Sequence, residues 1–351
     1  MPSEGYLLSP TIYDVARLAE VAPATVSRVI NEASTVREKT RRRVLDAIEQ
    51  LHFEPHTAAR NLRSRRTGTI GLVVPDIAEP FYGQLAKWVE AAAREQGYCV
   101  VLFNTESNLE LEGRYLSSLR RASVDGLVFA TPEDDTEYLL NLKERGVPVV
   151  AMDRGSYDSP VPTVQVDNRR ASREAIRHLI HLGRRRIAYI NGYYNDRQTF
   201  RDRISGYQDA LAEASIPFDP SLLWVGNPGS EGLIVWGYDL VRERLGSGVL
   251  IDALFSPADS PAIGALRALR EAGLRVPEDV AVIGMNDVIQ ASFTDPPLTA
   301  IAQPLDKMAQ MAIAMLLQVI AGEMPEPRHV MLDTELRVRG SCGAALVGSR
   351  S

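Results

Sequence analysis

Apolar residues recur at Ile12, Val15, Ala16 and Ala19, lapse, and resume at Val26, Val29 and Ile30. That is the i, i+3, i+4, i+7 spacing of one helical face, written twice. Thr11, with Asp14 three residues on, predicts the cap of a first helix that runs to about Ala19. Glu20, Val21 and Ala22 make a turn. Pro23 suits the first position of a second helix, where its missing N–H costs little, and that helix runs to about Asn31. A third helix is predicted over 37–51, with Val44, Ile48 and Leu51 as its apolar stripe. Helices this short are marginal alone. Two of them about a tight turn, buttressed by a third, match an all-α helix-turn-helix head.

From Thr69 the pattern changes. The apolar runs TIGLVV, YCVVLF, GLVFA and VPVVAM alternate with helical stretches, the first over 80–96 and closed by Gly97. A second series begins near residue 170 with RRASREAIRHLIHLG, RIAYIN, DRISGYQDALAEA, DALFS, PAIGALRALREAG and VAVIGM. Such alternation predicts doubly wound parallel sheets, and two sets predict a two-lobed α/β body. Residues 296–322 read as a strand and a long helix. That helix is apolar over so wide an arc that it should bury one face in the body and one against a second subunit. The expected division is a head over 1–56, a hinge over 57–67 and a body over 68–343. Within the body, the expected lobes are 68–166 plus 299–326 and 167–298 plus 327–343.

Net charge is −6 over 351 residues, which argues against nucleic acid. Its distribution changes that picture: residues 1–66 hold 11 basic and 8 acidic side chains, and the remainder 28 and 37. Arg37, Lys39, Arg41, Arg42 and Arg43 crowd the start of the third helix, the wrong end for its dipole. Phosphates would favour them there. Cys99 and Cys342 lie far apart and suggest neither a disulfide framework nor a zinc knuckle, as in a reducing cytoplasm. MPSEGYLLSP has no basic stretch ahead of an apolar core, so no secretory leader is expected. No run of 18 apolar residues occurs, so no membrane span is expected.

In a helix-turn-helix the second helix enters the major groove. Ala22, Pro23, Ala24 and Thr25 would then face base edges, with Ser27 and Arg28 on the next turn. Arg28 suits guanine N7 and O6, Pro23 or Ala24 suits thymine methyls, and Thr25, Ser27 and Asn31 suit phosphates. Thr11 and Tyr13 complete the expected DNA-binding set on the first helix. Past Phe53, EPHTAARNLRSRRTG offers Ala58, Ala59 and Leu62 as a small apolar face among arginines. It reads either as a helix that orders only against DNA or as a solvated linker. In the body, ligands belong at the carboxyl ends of strands. That singles out 75–82, 151–154, 191–203, 256–259 and 284–287, and within them Asp76, Phe81, Tyr82, Asp153, Arg154, Arg203, Asp259 and Asn286. The chain has no G-x-G-x-x-G, Walker A, H-E-x-x-H or G-x-S-x-G motif, and His178 with His181 lacks an obvious third ligand. No cofactor, metal or catalytic residue is expected.

The runs T-V-S-R-V-I-N, V-x-x-K-T-R, A-R-x-L and I-G-L-V-V-P resemble the head and hinge of LacI/GalR-family regulators, and the resemblance continues to about residue 340. It implies a body of the periplasmic sugar-binding type. It makes Pro23, Ala24, Thr25, Ser27 and Arg28 reading-helix contacts, and Leu62 the hinge residue that wedges into the minor groove. Positions matching Asp153, Arg203, Asp259 and Asn286 contact effectors in relatives, and the Phe81–Tyr82 pair often does. The expected function is therefore a ligand-responsive repressor. It would bind a palindromic double-stranded operator as a homodimer, with a small metabolite such as a sugar between its lobes. A cytoplasmic sugar-binding or sugar-processing protein with an incidental helical head is the alternative. The chain departs from the family pattern at Ala22 (often Ser), at Ala258 (usually Asn) and in the stretch GNPGSEGLIVWGY, where the resemblance identifies no pocket aromatic.

Overall fold

The computed structural model describes residues 10–30, 35–53, 67–106, 124–130, 136–153, 159–192, 198–229 and 231–344. The chain divides into two compact units, the second beginning at Gly68.

The first unit holds α1 (Ile12–Leu18), α2 (Pro23–Ile30) and α3 (Glu38–Gln50). Thr11 caps α1 through a reciprocal box: its backbone N–H donates to Asp14 Oδ2 at 2.9 Å, and the Asp14 N–H donates back to Thr11 Oγ1 at 3.4 Å. The helices close on Val15, Ala16, Ala19, Val26, Val29, Val44, Ala47 and Phe53. Each fully buried valine supplies roughly 1.5–3 kcal/mol, which such short helices lack on their own. Glu20, in the turn between α1 and α2, has φ 52°, a left-handed conformation unusual for a side chain with a Cβ.

The second unit contains two six-stranded sheets. The first-sheet strands are β1 (Thr69–Val74), β2 (Cys99–Asn104), β3 (Gly126–Phe129), β4 (Val149–Met152), β5 (Thr163–Val166) and β11 (His329–Leu332), in the order β11-β5-β4-β3-β1-β2. The second-sheet strands are β6 (Ile187–Asn191), β7 (Leu223–Val225), β8 (Ala253–Phe255), β9 (Ala281–Asn286), β10 (Thr299–Ala302) and β12 (Glu335–Arg337), in the order β12-β10-β9-β8-β6-β7. Among the described pairings all are parallel except β10 with β12.

Helices α4 (Pro80–Glu95), α5 (Thr136–Glu144) and α10 (Leu305–Ile320) belong to the first lobe. Helices α6 (Asn168–His181), α7 (Gln198–Glu213), α8 (Leu233–Gly246) and α9 (Asp259–Glu271) belong to the second. The helices α6 and α7 touch backbone to backbone at Gly206, where a Cβ would collide with the Arg169 carbonyl.

One expectation needs correction. Strand β10 lies in the second sheet, with Thr299 opposite Ile283, and β11 lies in the first, with His329 opposite Thr163. Residues 299–302 therefore belong to the second lobe and 329–332 to the first, the reverse of the assignment read from order along the chain. An apolar strand carries no mark of which sheet it will join; long-range pairing decides. The chain thus crosses between lobes at 167, at 303–304 and at 333–334. The wide apolar arc of α10 is buried over much of its width, while Met311 stays 39% exposed. Leu305, Met308, Ala309, Ala312, Ile313, Met315 and Leu316 are buried, and the helix packs on α4, β3, β4 and β5.

Candidate DNA-reading face and ligand cleft

Helix α2 turns Val26 and Val29 into the head's core. The opposite arc then carries Ala22, Ala24 and Arg28, all exposed, flanked by the half-buried Pro23, Thr25 and Ser27. The helix starts on Pro23 with the Ala22 carbonyl accepting from the Thr25 and Val26 N–H groups at 2.8 and 3.3 Å. Alanine has no side-chain oxygen to cap the remaining donors. Tyr13 is 67% exposed on α1. Thr11 is also exposed, but its hydroxyl donates to Asp14 Oδ2 at 2.6 Å, so capping α1 is its role in this structure. The hydrogen bonds from Thr11, with the Arg17 guanidinium nearby, hold the Asp14 carboxyl below its ordinary value. Arg37, Lys39, Arg42 and Arg43 are exposed at the start of α3. Asn31, Ala59 and Leu62 lie outside the described residues.

In the second unit the strand ends of both sheets carry the expected polar groups. Asp153 follows β4 with φ 52°, and Asn286 ends β9 with φ 108°. Non-glycine residues held in such conformations cluster at functional sites. One oxygen of Asp153, Oδ1, is buried without a hydrogen-bond partner. Burial pushes the Asp153 carboxyl up, and the Arg203 charge, coming from the other lobe, opposes that shift. Arg203 is itself buried and donates from Nε to Asn168 Oδ1 at 2.7 Å and from Nη1 to the Pro257 carbonyl at 3.1 Å. An arginine of one lobe thus faces an aspartate of the other, and its guanidinium is partly spent. The R-x-x-G spacing is explained as well: Arg203 serves the cleft and Gly206 the α6 contact.

Other expected cleft residues are occupied differently. Asp76 is exposed, and its Oδ1 accepts from the Ala78 N–H at 2.9 Å, bracing its own turn. Phe81 is 4% exposed and belongs to the core, with its ring edge-on to Tyr82 at 5.0 Å. Half-buried Tyr82 remains the accessible member of the pair. Asp259 turns inward: Oδ2 accepts from the Val288 N–H at 2.7 Å and Oδ1 lies against Gly284, where any Cβ would collide with it. Burial pushes its carboxyl well above the ordinary range, helped by the nearby Asp287 and Glu79. Asn286 accepts from Gln303 Nε2 at 2.8 Å. Arg154 lies outside the described residues.

Three participants escape a reading of the strand ends alone. Gln303 sits on the second lobe crossover, with Oε1 buried and unpartnered. Asn168, just past the first crossover, holds Arg203. Trp236, on α8, lies against Gly192 and Gly226, which follow β6 and β7. It is one of two aromatics, with Tyr238, in the stretch where the family resemblance identified no pocket aromatic.

These features define a class: a helix-turn-helix head carried on a two-lobed, periplasmic-binding-type α/β body with a polar cleft at its strand ends. Residues 67–338 match the family model for periplasmic binding proteins and the sugar-binding domain of the LacI family, and residues 11–56 match that for bacterial regulatory proteins of the lacI family. The chain is 34% identical over 335 residues to the HTH-type transcriptional regulator RegA of Clostridium saccharobutylicum, covering 95% of this chain and 99% of RegA. It is 35% identical over 332 residues to the ribose operon repressor of Escherichia coli K12, covering 94% and 99%. Among solved structures it is similar to the lac repressor dimer bound to operator and the anti-inducer ONPF, with a TM-score of 0.84, 28% identity and 95% and 99% of the two chains covered. A complex of the transcriptional regulator CelR with cellobiose matches with a TM-score of 0.71, 36% identity and the same coverage. The chain belongs to the LacI family, and it is a ligand-responsive, DNA-binding transcriptional regulator. Its helical head is not incidental to a sugar-binding body. Among the described residues no helix is long and apolar enough to cross a membrane.

Proposed function

We propose that this regulator is a repressor that binds a palindromic operator as a homodimer in the cytoplasm, without catalysis, and responds to a neutral sugar held between its lobes. The observation that carries the ligand class is the charge of Arg203 acting on Asp153 from the other lobe, beside acceptors that lack donors. Asp153 Oδ1 and Gln303 Oε1 are acceptors, so they call for O–H groups. Arg203 already spends Nε and Nη1 on Asn168 and Pro257, and its charge acts on Asp153, which leaves little of it for an anionic ligand. Tyr82 and Trp236 supply flat apolar surface for the face of a sugar ring. The sugar-bound CelR relative and the ribose operon repressor point the same way.

For DNA, the exposed arc of α2 supports base reading by Arg28, Pro23 and Ala24, with Thr25 and Ser27 toward phosphates and Tyr13 beside them. The basic start of α3 supports a salt-dependent phosphate contribution. Asn31, Ala59 and Leu62 enter on the family resemblance alone, as does Arg154 in the cleft. The operator-bound dimer of the lac repressor supports the two-fold arrangement, which in turn implies a palindromic site.

Two experiments test the reading. A gel shift with the DNA upstream of the protein's own gene should give a discrete complex at low ionic strength. No complex, with or without metabolite extract, sinks the DNA half. A thermal-shift screen of sugars, sugar phosphates and nucleobases should raise the midpoint with an uncharged sugar, because a ligand of the native state stabilises it. The shift should vanish in Arg203→Ala. A response confined to anionic compounds overturns the ligand class.

A further inference from the structure

The lobes are also joined away from the crossovers. The Ser260 hydroxyl, in the first turn of α9, donates to Glu79 Oε1, immediately ahead of α4, at 2.6 Å. The two residues are 181 positions apart and belong to opposite lobes. Ser260 is fully buried and Glu79 half-buried. Sliding or rotating one lobe on the other must break this bond and wet the carboxyl.

We propose that Glu79 and Ser260 form a proton-linked latch: the lobe arrangement in which they touch holds a proton on Glu79, and loss of that proton favours separation. The charges around the latch support this. Asp76, in the turn ahead of α4, and Asp259, beside Ser260 on α9, are the titratable groups that Glu79 faces among the described residues, and both are acids. Beyond Asp259 stand Asp287 and Arg339, with Asp287 bonded to Arg337 and Arg339 at 2.6 Å each. A buried carboxylate surrounded by acids is costly, whereas a neutral carboxyl still accepts the Ser260 hydrogen bond through its carbonyl oxygen. Burial, opposed by the Ser260 hydrogen bond and reinforced by Asp76, raises Glu79 from 4.5 to about 7 in the touching arrangement. Once the lobes part, water restores the ordinary value. The touching form therefore binds the proton more tightly, and raising pH from the ordinary value through about 7 draws the equilibrium toward separation.

The latch gives functional meaning to pH only if lobe geometry controls the regulator, so its consequence for DNA rests on the reading above. Its test needs no effector. Spin labels at Glu106→Cys, past β2, and Asn227→Cys, past β7, report the width of the cleft rim. Cys99→Ser removes the exposed native thiol, and dilution with unlabelled protein keeps label pairs within one protomer. The ratio of the touching to the separated population should fall roughly tenfold or more between about pH 5.5 and about pH 8. In Glu79→Gln, which keeps the acceptor and cannot ionise, the ratio should stay high and flat. In Ser260→Ala it should drop at low pH. A distribution in the parent that ignores pH, or the parent's pH dependence surviving in Glu79→Gln, overturns the proposal. Either result leaves the thermal-shift test of the effector site untouched, and a failed sugar screen leaves the latch standing.

Discussion

At the scale of single residues, exposure separates chemistry from support. Arg28 stands on the exposed arc of α2, whereas Thr11 has its hydroxyl consumed by capping. Arg28→Ala should cost about 1–3 kcal/mol on the preferred operator and relax base choice at one position. Quantitative gel shifts on cognate and scrambled DNA check this, and an equal loss on both would remove Arg28 from base reading. Glu20 illustrates a local cost. Its left-handed backbone favours glycine, and it forgoes only a 3.8 Å exposed ion pair with Arg43, worth little. Glu20→Gly should therefore stabilise the head by about 1 kcal/mol, seen as severalfold slower amide exchange in α1 and α3. Faster exchange would show that the ion pair matters more than the strain.

At the scale of elements, the helix periods were legible because each helix buries one stripe. Thr11 and Asp14 announced the start of α1, and Gly97, with φ 77°, closed α4 where the periodic pattern stopped. Strands β5, β7, β11 and β12 were not named as strands by the pattern, since three or four residues do not establish a period of two, and β5 buries the polar Thr163 and Gln165. The role of Gly206 was equally hidden: glycine inside a helix looks like a local weakness until the neighbouring backbone is seen against it. Gly206→Ala should push α6 from α7 and destabilise the second lobe by about 1–3 kcal/mol. Denaturant titration checks the loss. A neutral or stabilising result, as expected of alanine in an isolated helix, would mean that the two helices yield freely.

At the scale of the whole molecule, the contact between the lobes carries a titratable group, Glu79. Glu79 carries a folded-state value raised from 4.5 to about 7, so the native form holds its proton more tightly than the unfolded chain does. Its contribution is fully present below about 4.5 and is lost as pH climbs through about 7. The melting midpoint of the parent should accordingly decline across that window relative to Glu79→Gln, and parallel profiles would contradict the assignment. Acids held low, such as Asp279 at about 2 through its bonds to Arg275, act in the opposite sense and only at lower pH, so the paired comparison isolates Glu79.

The sequence by itself determined the helix-turn-helix head, the two sets of alternating strands and helices, and the strand ends where a ligand belongs. These follow from periodicity, capping and turn chemistry, which act over a few residues. Only the tertiary structure decided which sheet receives β10 and β11, how much of the α10 apolar arc is buried inside the chain, and that Asp259 turns inward while the Arg203 charge acts on Asp153. It also placed Trp236 at the strand ends and set Glu79 against Ser260. Those outcomes depend on pairings between residues tens to hundreds of positions apart, and the free energy of such a pairing resides in the contact, which neither partner's local sequence encodes.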